Sequence, residues 1–114
     1  MKITKIFNGI VLKKLIKIAG YQGKESVHTR AMQKFISLIK NEFSISFIED
    51  ITSYNKKASD LISQTQNGEI DISYLFTSYF TSLIPELLYL DLPFYFNSKE
   101  EAFNDLNKNL KPLI

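Results

Sequence analysis

No cysteine occurs in the 114 residues, which excludes disulfides, thiolate chemistry and cysteine-based metal sites. Histidine occurs once, as His28, so neither a histidine metal cage nor a histidine-based catalytic pair can form within the chain. Arginine also occurs once, as Arg30. Bidentate capture of a carboxylate or phosphate prefers arginine's planar fork, so the chain has little capacity for it. No apolar run approaches the ~20 residues of a membrane span. Charge of one sign is scarce too: 14 Lys+Arg face 12 Asp+Glu, a net charge of +2. That value reads as too weak and too dispersed for nucleic acid or an anionic membrane surface. There is no nucleophile–base–orienter series and no metal-ligand spacing, so no enzyme and no cofactor is expected.

What is present suits one folded domain. Apolar residues make up 45% of the chain and charged residues 23%, enough to bury a core. Residues 1–14 hold Lys2 and Lys5 before an apolar run from 6 to 12, broken by Asn8 and Gly9 and followed by Lys13 and Lys14. They read as an N-terminal extension or a degenerate signal segment, irregular or helical in form. Residues 15–19 (LIKIA) form a β-branched strand closed by Gly20 and Gly23. A helix is expected over 27–43, capped by Ser26, with Val27, Ala31, Phe35 and Leu38 on its inner face.

Residues 44–48 alternate as a strand, and 49–57 are a polar loop. A second helix carries Ala58, Leu61, Ile62 and Thr65 inward and stops at Gly68. Residues 70–76 form a third strand, 77–90 are partly helical around Pro85, and 91–96 (DLPFYF) are extended. Ser98 to Glu101 make a capping box for a helix bearing Ala102, Phe103, Leu106 and Leu110, which Pro112 ends.

The fold class is therefore α/β, a βαβαβ parallel sheet with right-handed crossovers and strand order 2-1-3. Ligands in such sheets bind beyond the carboxyl ends of the strands. This makes Ala19, Gly20, Tyr21 and Gln22 after the first strand, and Phe76, Thr77, Ser78 and Tyr79 after the third, the candidate ligand-binding residues. Backbone N–H groups at the following helix starts favour an anion there. The stretch 20–26 is no phosphate loop, since Ile18 stands where a glycine is needed and Glu25 follows Lys24. His28 reads as a local packing or hydrogen-bonding residue, and Glu69 with Asp71 as a strand's solvent-facing alternation. The aromatic run from Tyr74 to Phe96 reads first as core, with Phe76 and Tyr79, nearest the expected site, as its candidates for pocket lining.

Three stretches carry a family resemblance. They are Ser26-Val27-His28 leading to Lys34-Phe35, then Asn67-Gly68-Glu69-Ile70-Asp71-Ile72, and Ile84-Pro85-Glu86 with Leu90-Asp91-Leu92-Pro93-Phe94 and Ser98 to Ala102. Over about 15–110 the chain resembles the DctP-type solute-binding proteins of TRAP transporters. The resemblance implies two α/β lobes closing on an organic acid, TRAP membrane permease subunits as partners, and a periplasmic location. Residues 15–114 would form part of lobe one, and the arginine that clamps the carboxylate in the family would come from later in a longer chain. Tyr54-Asn55-Lys56 replaces the family's Q-L-G, and Phe76 stands where the sialic-acid branch has an acid, which favours a simpler organic acid. The alternative is a small intracellular α/β interaction domain, with an apolar patch at 94–96 and 110–114 as its interface.

Overall fold

The computed structural model of the chain describes residues 4–7 and 10–113, with side chains from position 12 onward apart from 110 and 113. The chain forms two compact units, Met1–Leu75 and Phe76–Ile114. The first holds strands β1 (Thr4–Phe7), β2 (Ile10–Lys13), β3 (Leu15–Ala19), β4 (Ser44–Ile48) and β5 (Ile72–Ser73), with helices α1 (Val27–Ile39) and α2 (Asp60–Gln66). Strands β3, β4 and β5 make one parallel sheet in the order β4-β3-β5. That is the expected 2-1-3 order, with the first family strand in the middle. Its register runs from Leu15 opposite Ser44 to Ala19 opposite Ile48, and Ser73 lies opposite Ala19 on the other side.

Local chemistry sets the helix starts. The Ser26 hydroxyl oxygen accepts the His28 N–H at 3.0 Å, the N-cap bond that the sequence predicts. Thr29, fully buried, donates its hydroxyl to the Gln22 carbonyl at 2.8 Å. This fastens the first turn of α1 to the preceding loop and fixes the face that α1 turns inward. That face is Thr29, Met32, Ile36 and Ile39, and it corrects the expected one: Val27 is 62% exposed and Leu38 71%. The helix is apolar on two sides, and period alone does not choose between them. It also stops at Ile39 instead of 43, because a tight turn (Phe43 N–H to Ile39 O, 3.1 Å) delivers Ser44 to the sheet, where its N–H reaches Lys14 O.

β5 is two residues long where 70–76 was expected. The Asp71 carboxylate accepts the Lys17 N–H at 2.9 Å, and the Asp71 N–H donates to Lys17 O at 2.8 Å. The side chain thus takes a place in the ladder that a strand carbonyl would fill, so Asp71 is more than solvent-facing alternation. Gly68, just past the Asn67 cap of α2, adopts φ +86° as a helix-ending glycine should. Thr65 ties α2 to β5 through a 2.8 Å contact between its hydroxyl and that of Ser73. The 49–57 loop contains a 3-10 turn, Ile51–Tyr54, capped by Asp50, and its Ile51 joins Ala19, Leu61 and Ile70 in the core.

β1 and β2 pair antiparallel, from Thr4 opposite Lys13 to Phe7 opposite Ile10. This replaces the irregular or helical form expected for the first 14 residues. Residues 1–3, 8 and 9, on which part of the signal-segment reading rests, lie outside the described residues. Among the described residues no helix is long and apolar enough to cross a membrane.

The second unit is built from short turns: 3-10 segments at Thr77–Phe80 and Pro85–Asp91, then α3 (Lys99–Asp105), a π turn at Leu106–Leu110 and a 3-10 turn at Lys111–Leu113. Half of the expected capping box is present, with Ser98 accepting the Glu101 N–H at 3.0 Å, while the Glu101 carboxylate accepts the N–H of Asn97, one residue before the cap, at 3.3 Å. Pro112 sits inside the last 3-10 turn, so it is not what ends the α-helical geometry. Residues 91–96 are not extended: Phe94 has φ +59° in a turn after Pro93 and is 98% exposed. Burial, then the neighbouring Asp105 carboxylate, pushes the Tyr89 phenol above its usual 10.

Two outcomes follow from these contacts. Asp71→Ala removes a charged acceptor from an exposed backbone donor and should cost about 1.5 kcal/mol; an unchanged urea midpoint would contradict the ladder role. Tyr89 has its folded pKa above its unfolded one, so its contribution is complete below pH 10 and lost as pH rises through the folded value. Tyr89→Phe should flatten that alkaline loss in a pH series of unfolding curves.

Candidate ligand-binding site

The carboxyl ends of the three parallel strands are held together at Gly20. Its N–H donates to Ile48 O at 2.9 Å, and its carbonyl accepts the Ile51 N–H at 2.9 Å. Tyr21 then bridges to Asp50. Both backbone groups of Gly20 are committed to structure and are closed to a ligand. The Tyr74 ring, one residue beyond β5, lies directly on this glycine: a Cβ added there would stand 2.6 Å from Tyr74 Cε1. Glycine is needed here for close approach rather than for an unusual φ.

Tyr74 is flanked by Tyr21 and His28, each with its ring centroid 5.4 Å away. The Tyr74 hydroxyl is buried without a hydrogen-bond partner. Three rings from three separate segments therefore meet over the sheet end.

Of the residues expected on the first loop, Ala19 and Gly20 are buried beneath the ring group. Tyr21 and Gln22 are half-buried. Gln22 is already engaged, accepting the Ser26 hydroxyl at 2.5 Å on its side-chain oxygen and the Thr29 hydroxyl on its carbonyl. The Ser26 cap also occupies the His28 N–H, which reduces the supply of first-turn donors for an anion. Phe76, Thr77, Ser78 and Tyr79 open the second unit and are exposed, Phe76 preceding the 3-10 turn that the other three begin. Within the first unit, Ser73 of β5 lies opposite Ala19 of β3.

Sequence reasoning passed over Tyr74 and His28, assigning one to the aromatic core and the other to local packing. The signal was a glycine ending a central parallel strand, which marks the close approach of something bulky. A concavity of about 380 Å³ lies at the carboxyl end of β4. Gly23, Ile48, Glu49, Asp50, Ser53 and Tyr54 line it, with Phe47. Glu49 accepts the Gln33 amide at 3.3 Å, and Asp50 caps Thr52 at 2.9 Å.

The parallel sheet with its connecting helices makes the first unit an α/β fold. The family model described as bacterial extracellular solute-binding protein, family 7 (DctP), matches residues 18–111, and the chain belongs to that family. In fold it is similar to a TRAP periplasmic solute-binding protein from Ochrobactrum anthropi, whose crystal structure is described with its C-terminus bound in the ligand-binding pocket. The likeness has a TM-score of 0.72 at 22% identity and covers 89% of this chain. The chain spans 32% of the length of that protein. No curated protein matches it.

Gly20→Ala should destabilise the first unit by about 1–3 kcal/mol through overpacking against Tyr74, with a change in tyrosine fluorescence as the ring is displaced. Gly23→Ala, with nothing within 4 Å of the new methyl, should leave both readouts unchanged. Equal effects from the two would contradict the cradle.

Proposed function

We propose that the chain supplies one wall of the ligand cleft of an extracytoplasmic solute-binding protein for organic acids. In this reading 15–114 form part of lobe one and 1–14 an N-terminal extension. The observation that carries it is the convergence of Tyr21, Tyr74 and His28 over Gly20 at the carboxyl end of the sheet, within a chain of this family. The ligand would lie against the ring group and against Gln22. The opposing wall would supply the cationic partner of the carboxylate, which the single arginine here does not provide. Closure of the two walls about a hinge would exclude water, and the closed form would dock on TRAP membrane permease subunits. Binding without turnover is the whole activity in this reading.

An interaction domain inside the cell is the second reading, favoured by the exposed Val27 and Leu38 on α1. Part of its proposed patch, the side chains of 110, 113 and 114, lies outside the described residues. Export of the protein to the periplasm would contradict it.

The test is an amide and aromatic NMR titration of the chain with C4-dicarboxylates and keto acids. One charge-assisted contact contributes roughly 1.5–3 kcal/mol, so a single wall should bind in the millimolar range at best. The expected shifts are centred on Tyr21, Gln22, His28 and Tyr74. Shifts centred elsewhere would overturn the site. Micromolar binding by the monomer would overturn the need for a second wall.

A further inference from the structure

The net charge of +2 conceals a segregation. Residues 1–24 contain six lysines and no acid, while the other 90 residues contain eight basic side chains against twelve acidic ones. The charge is therefore not dispersed, which corrects the inference drawn from the net value. Four of these lysines fall on the first strands: Lys5 in β1, Lys13 at the end of β2, Lys14 between β2 and β3, and Lys17 in β3, with Ile, Phe, Val and Leu interspersed.

Where β2 passes into β3, Leu12, Lys13, Lys14 and Leu15 are four consecutive exposed residues, the two leucines 46% and 48% exposed. This junction stands at the amino ends of the sheet strands. Leu15 is opposite Ser44, and Lys14 O accepts the Ser44 N–H at 3.0 Å. The ring group over Gly20 occupies the other end. Two acids approach this region in sequence or contact. Glu42 lies two residues before Ser44, with Lys40 beside it, and Asp71 bonds the Lys17 backbone.

We propose that the Leu12-Lys13-Lys14-Leu15 junction, with the basic hairpin that leads into it, docks on an anionic lipid surface. Ammonium groups near such a surface are attracted within a Debye length, each strengthening binding about fivefold. The leucines that flank them gain by entering the headgroup–acyl boundary. A nucleic acid would use the lysines and leave the leucines in water, so lipid is the partner that uses all four side chains. The inference is independent of the cleft reading, since it concerns the opposite end of the sheet.

The experiment is co-sedimentation of the full chain with vesicles of phosphatidylcholine containing phosphatidylglycerol, against phosphatidylcholine alone. Binding is expected to the anionic vesicles only and should weaken as salt is raised. Lys13→Gln with Lys14→Gln should lower the affinity about thirtyfold. The exposed pair Lys56 and Lys57 serves as the control, and Lys56→Gln with Lys57→Gln should leave binding unchanged. Circular dichroism of each variant establishes that it is folded, and Leu12→Asn provides an independent arm that should also reduce binding. Equal binding to neutral vesicles, equal losses from the two lysine pairs, or displacement of the vesicles by an oligonucleotide would each overturn the proposal.

Discussion

Gly20 commits its N–H to β4 and its carbonyl to the turn that follows β4, and it carries no side chain that would lift Tyr74 away. The order of the sheet, the placement of Ile51 in the core and the position of the ring group all depend on that combination. A larger residue could keep the two hydrogen bonds, but the aromatic ring would then have to leave the sheet end. Because Tyr74 directly follows β5, its seat on Gly20 also fixes where the chain leaves the first unit. The candidate site is in this sense a packing consequence: close approach at one backbone position gathers side chains from the loop after β3, from α1 and from the residue after β5.

The buried core is small for the apolar content. Among the described residues, Ile18, Ala19, Ile51, Leu61, Ile70 and Leu87 are the buried apolar side chains, while larger ones such as Val27, Leu38 and Phe94 remain in water. Polar groups take over some of the fastening that a larger core would supply. Thr29 ties α1 to its loop, Thr65 ties α2 to β5, and Asp71 ties the start of β5 to β3.

The topology was legible because strand–helix–strand units cross over with one hand, which leaves few arrangements for three short strands. The caps at Ser26 and Ser98 and the stop at Gly68 were legible because each rests on a local bond or a local φ. Other features turned on partners distant in sequence. The inner face of α1 was decided by Thr29 reaching Gln22, and the length of β5 by Asp71 reaching Lys17. The apolar run at 91–96 suggested an extended segment, yet it turns through Phe94 after Pro93. The first strands were hidden by lysines that looked like an export signal, although Asn-Gly between two β-branched stretches is a hairpin signal. At the site, the loop residues were found from topology, whereas Tyr74 and His28 required knowing what lies on Gly20.

The central claim is that the Tyr74 ring rests on Gly20 and makes an aromatic floor at the sheet's carboxyl end. Proton NMR of the chain tests it directly. Nuclear Overhauser contacts between the Tyr74 ring protons and the Gly20 α-protons are predicted, together with an upfield ring-current shift of those α-protons. Absence of both, with Tyr74 ring shifts at free-tyrosine values, would contradict the account.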